Sequence, residues 1–78
     1  MSKKQIEECI RSSLEGYFKD LHGTEPDGMY DRMVRAVEKP LLEVVMQHAE
    51  QNQSRAAEWL GLNRNTLRKK LVEHKLIK

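Results

Sequence analysis

The sequence predicts an all-α fold: four helices per subunit, a second copy of the chain as cover, and a helix-turn-helix at the C-terminal end. Three observations carry that expectation. Apolar residues recur at three- and four-residue steps through the first two thirds of the chain. Beyond Pro40 the pattern becomes apolar on nearly every side. Then "NQSRAAEWLGLNRNTLRKKL", Asn52 to Leu71, sets two short helical patterns around Gly61 and crowds cations into the second.

The first helix opens at Ser2, with Gln5 three residues later, the spacing of a capping box. Ile6, Cys9, Ile10, Leu14, Tyr17, Phe18 and Leu21 follow within about half of a helix circumference, an amphipathic face. Gly23 supplies a stop signal just past the last of them. Thr24, Pro26 and Asp27 read as a second start, with a capping side chain, an early proline and a first-turn acid. The second helix is expected over residues 29–49 as one long element kinked at Pro40, because the apolar phase continues across the proline. Its first half is apolar along one face only. After Pro40, Leu41, Leu42, Val44, Val45, Met46 and Ala49 leave a narrow wet strip at Glu43 and Gln47, which demands cover from more than one side.

Asn52 is a good N-cap for a third helix over residues 53–60. Gly61 can take the left-handed conformation that ends it, and Leu62 anchors the turn. Asn63 caps a fourth helix over residues 64–73 with Leu67 and Leu71 inward. Small Ala56 and Ala57 sit where two helices must approach closely, as a helix-turn-helix requires. Lys70 falls at a position of this motif that is normally apolar. A helix fits the DNA major groove, and Arg and Asn side chains match guanine and adenine edges. The placement of Arg64, Arg68, Lys69 and Lys70 therefore points to double-stranded DNA as a partner.

Length and charge agree. A chain of 78 residues buries a small fraction of its surface alone and leans on a disulfide, a metal or a partner chain. Cys9 is the only cysteine, so a disulfide within one chain is excluded, and a lone thiol fits a reducing compartment. His22, His48 and His74 stand 26 residues apart with no further ligand at metal spacing. Neither a metal nor another cofactor is expected, and no small-molecule ligand is evident. No apolar run is long enough for a membrane span, so a cytoplasmic protein is expected. Residues 1–49 carry seven Lys/Arg against nine Asp/Glu, and residues 50–78 carry seven against three. The chain thus divides into dimerisation helices (1–50) and a basic DNA-binding unit (51–78) of one domain. The carboxylates Glu7, Glu8, Asp20, Asp27 and Asp31 lack an adjacent His or Ser, so no catalytic residue is assigned and an enzyme is not expected.

Residues 38–71, "EKPLLEVVMQHAEQNQSRAAEWLGLNRNTLRKKL", resemble the Fis family of bacterial nucleoid proteins, whose helix-turn-helix also closes the sigma-54-dependent activators. The resemblance is densest from Pro40 to Leu71 and extends more loosely over nearly the whole chain. It implies an intertwined homodimer of four-helix subunits that binds and bends DNA, associates with the nucleoid and regulates transcription. It further implies that Asn63, Arg64 and Lys69 face the bases, while Asn52, Ser54, Thr66, Arg68 and Lys70 hold the phosphate backbone. Fis-like dimers are implied to space their recognition helices too closely for straight DNA, selecting sites by minor-groove width and deformability. Glu50, Val72 and Glu73 stand where cations are common in the family, which lowers the expected phosphate affinity. The chain begins almost at the Ser2 cap, which suggests a complete small protein without the N-terminal arm that lets well-known members activate invertases. Two other readings compete: a helical dimerisation or adaptor module without DNA binding, and the C-terminal piece of a sigma-54-dependent activator.

Overall fold

A computed structural model describes residues 2–77, and they form four α-helices: α1 (Lys3–Asp20), α2 (Met29–His48), α3 (Gln53–Leu60) and α4 (Arg64–Glu73). The capping box of α1 closes as its sequence requires. The Gln5 N–H donates to Ser2 Oγ at 3.2 Å and the Ser2 N–H donates to Gln5 Oε1 at 2.7 Å. Helix α2 runs unbroken through Pro40.

The entry to α2 differs from the sequence expectation. Thr24 caps nothing; residues 24–27 are irregular and Gly28, left-handed at φ 60°, holds the N-cap position without a side-chain bond. Pro26 pushes Glu25 away from helical geometry, which delays the helix beyond the reach of a Thr24 cap.

Three helix ends share one closure. The N–H groups of Gln51, Leu62 and Leu76 each donate at 2.9 Å to the carbonyl five residues back, on Met46, Ala57 and Leu71. A left-handed residue precedes each donor: Glu50 at φ 54°, Gly61 at 72° and Lys75 at 58°. Only Gly61 takes that conformation free of a Cβ penalty. The last closure folds the tail back, so that Leu76 and Ile77 pack against the core.

That core lies at one end of the molecule. Leu42, Met46 and Ala49 of the α2 end meet Ala56 and Ala57 of α3 and Leu67 and Leu71 of α4, all buried. The alanines have the role expected of them, since larger side chains would hold α3 away from its neighbours. The other end has no such interior. No residue of α1 is buried, and an open apolar groove of about 350 Å³ separates α1 from α2, lined by Ile6, Ile10, Leu14, Met33, Val37 and Pro40.

This division separates the residues beyond Pro40 that were expected to form a dimer core, Leu41, Leu42, Val44, Val45 and Met46. Leu42, 1% exposed, and Met46 are covered within the chain by the helix-turn-helix, because their face of α2 is the one on which α3 and α4 dock. Leu41, 48% exposed, and Val44 are left outside, and Val45 is partly covered. The exposed surface is 6526 Å², against about 4,900 Å² for a compact chain of this mass. The radius of gyration is 15.0 Å, against about 11.5 Å for a compact domain of this length.

Candidate nucleic-acid interface

The two short helices begin in the same way. Asn52 Oδ1 accepts the Arg55 N–H at 3.0 Å, and the first backbone bond of α3 runs from the Ala56 N–H to the Asn52 carbonyl at 3.0 Å. The N–H groups of Gln53 and Ser54 precede that ladder and point out of the helix end, where the dipole favours an anion. The exposed Ser54 hydroxyl lies in the same first turn. At α4, Asn63 Oδ1 accepts the Asn65 N–H at 2.8 Å. Each asparagine thereby uses its carbonyl oxygen as a cap and keeps its amide hydrogens to donate outward.

Gly61 sets the approach of α4 to α3, and Leu67 and Leu71 fix which side of α4 faces inward. At about 100° per residue, Lys69 then stands nearly opposite the Leu67/Leu71 strip, with Asn65 and then Arg68 to one side of it and Glu73 to the other. Asn65, Arg68, Lys69, Val72 and Glu73 line a shallow concavity on that outward side. Asn52, Ser54, Asn63, Arg64, Thr66, Arg68 and Lys69 are all exposed. Among the described residues, Arg64, Arg68 and Lys69 pair with no carboxylate, so their charge is free for an external anion. Arg55 meets Glu50 at 3.9 Å in an exposed pair of little energetic weight.

Lys70, expected on the phosphate backbone, makes a contact within the chain. Its ammonium donates to Glu38 Oε2 at 2.9 Å, and the other carboxylate oxygen of Glu38 meets His74 Nε2 at 2.8 Å. The side chains of Glu38, Lys70 and His74 are 19%, 32% and 5% exposed. Hydrogen bonds from Lys70 first and His74 second hold the Glu38 carboxyl below its ordinary 4.5. The Glu38 carboxylate in turn holds Lys70 above its ordinary 10.5. The cause of the contact is geometric. Lys70 lies about 80° around α4 from the centre of the inward strip, on the side that meets α2. Glu38 and His74 escaped the sequence reading because they stand 32 and 36 residues from their partners. The available signal was Lys70 itself, since a lysine at an inward-leaning position requires a carboxylate beside it.

Comparisons with known proteins converge on one family. A family model described as bacterial regulatory protein, Fis family, matches residues 33–77. A relative from Ralstonia nicotianae, described as a Fis-like DNA-binding protein, is 56% identical over 77 residues, covering 99% of this chain and all of that one. One from Neisseria meningitidis with the same description is 61% identical over 72 residues, 92% of this chain and 91% of that one. The DNA-binding protein Fis of Photobacterium profundum is 40% identical over 74 residues, 95% of this chain and 76% of that one.

Proposed function

This chain belongs to the Fis family of bacterial regulatory proteins, and from that membership we propose that it works as a homodimer that binds and bends double-stranded DNA on the nucleoid. The observation that carries the reading is the outward face of α4. Lys69 stands there unpaired, with Arg68 unpaired to one side and Arg64 unpaired in the first turn beside the exposed Asn63 amide, on a helix whose rotation is fixed by buried Leu67 and Leu71. Asn63, Arg64 and Lys69 read base edges in the major groove, and Asn52, Ser54, Thr66 and Arg68 hold phosphates on either side. The adaptor reading gives no reason to leave three cations uncompensated on one short helix.

The second copy answers the excess surface. A chain exposing about 1,600 Å² more than a compact monomer has a face the size of an obligate interface, where each partner buries 1,000 Å² or more. Leu41, Val44 and the open α1–α2 groove form that face. Dimerisation by these helices places two α4 helices on one duplex. Bending the duplex to reach both, as the family resemblance implies, selects sites by deformability and minor-groove width.

The test is a fluorescence-anisotropy titration of the chain against random-sequence and A-tract-flanked duplexes across a salt series. Binding with a steep inverse dependence on salt, and a preference for the A-tract-flanked duplex, is the expected result. An adaptor module would bind neither duplex at any salt concentration.

A further inference from the structure

We propose that Glu38 is a positioning residue which holds Lys70 against α2 and so withholds that cation from DNA, fixing the rotation of the recognition helix at the same time. The inference rests on the DNA-binding reading above and adds an internal anion that decides which cations of α4 reach the duplex.

Among the described residues, Glu38 alone bonds both Lys70 and His74. Its two oxygens are divided between them, at 2.9 Å to Lys70 Nζ and 2.8 Å to His74 Nε2. Together the three residues tie α4 to α2 at a point away from the apolar core. Leu67 and Leu71 set which side of α4 faces inward, and the polar tie adds a second restraint on that rotation.

For Lys70 to reach a phosphate it must leave one anion for another. The exchange gains little, because a carboxylate that is only 19% exposed then loses its strongest partner beside a polyanion. Arg64, Arg68 and Lys69 face no such competition. The four-cation appearance of "RNTLRKK" therefore overstates the number of cations that α4 offers to DNA.

Salt dependence distinguishes this role from a purely structural one, because it counts phosphates neutralised rather than stability. Anisotropy titrations of the full chain and its variants on one duplex are the experiment. Lys70→Met keeps the stem without the charge and is expected to leave the log–log salt slope unchanged. Glu38→Ala frees Lys70 and is expected to steepen the slope by about 0.9 per subunit, roughly a 3.5-fold greater loss of affinity between 50 and 200 mM salt. The Glu38→Ala/Lys70→Met double variant should return to the wild-type slope. A Lys70→Met slope shallower by about 0.9 per subunit would show that Lys70 already holds a phosphate and would overturn the proposal. So would a folded Glu38→Ala variant whose slope is unchanged. If circular dichroism shows Glu38→Ala unfolded, Lys70→Met alone decides by the same criterion. A wild-type chain that binds no duplex overturns the DNA reading itself and this inference with it.

Discussion

Leu41 and Leu42 are neighbours in sequence with opposite surroundings in one chain, and the same substitution at each measures what covers α2. Leu→Ala removes three carbons, about 2.4 kcal/mol of transfer free energy when the side chain is fully buried. The cavity left behind raises the usual cost to roughly 3–5 kcal/mol. Leu42, only 1% exposed, should show that full cost. Leu41 is 48% exposed in the single chain, so the contacts made within that chain support a loss of only about 1 kcal/mol. If a second copy covers Leu41, its substitution should approach the cost at Leu42. Urea unfolding at one protein concentration, followed by circular dichroism and by fluorescence of the single Trp59, gives both values. At a slope of about 1–3 kcal/mol per molar urea, the two outcomes for Leu41→Ala differ by roughly 1 M or more in midpoint. A Leu41→Ala loss near 1 kcal/mol, beside a full loss at Leu42→Ala, would refute the argument that this face is an interface.

Two further outcomes follow from local geometry and charge. Gly61→Ala should destabilise by about 1 kcal/mol in thermal or urea unfolding: no atom lies within 4 Å of the added Cβ, so the cost is the left-handed conformation at φ 72° alone. A loss above about 3 kcal/mol would mean that the α3–α4 turn is crowded after all. For pH, the Glu38 carboxyl is held below its ordinary 4.5 in the folded chain, so its contribution is present above that value and fades as pH falls through the lowered one. Wild type and Glu38→Gln should therefore differ in stability at neutral pH and converge in acid. A gap that stays constant into acid would remove the Glu38 tie from the account.

Much of this structure was legible because its signals are local. Asn52, Gly61 and Asn63 each act within a few residues, so the bounds of α3 and α4 follow from capping and turn chemistry. The start of α2 was misread for a related reason: Thr24 has the right side chain for a cap, but Pro26 keeps the chain extended beyond its reach. Glu50 and Lys75 carry no signature of left-handed backbone, since the closing hydrogen bonds from Gln51 and Leu76 impose it. Periodicity showed that the end of α2 is apolar on several sides, yet it could not divide Leu42 and Met46, covered by the helix-turn-helix, from Leu41 and Val44. That division depends on where α3 and α4 dock. The tie among Glu38, Lys70 and His74 is a contact between distant segments, which no short window of sequence contains.

The central claim is that the first turn and outward face of α4 read duplex DNA, and Arg64 tests it most directly. It sits in the first turn of α4, exposed and unpaired, with a planar fork that can hold guanine O6 and N7 together. The measurement is the affinity of wild type and Arg64→Ala for a selected duplex and for random-sequence DNA at one salt concentration. The account predicts a loss of about 1–3 kcal/mol per half-site on the selected duplex and a much smaller loss on random DNA, so that the preference flattens. An equal loss on both duplexes would reduce Arg64 to a phosphate clamp, and no loss on either would contradict the claim that this face meets DNA.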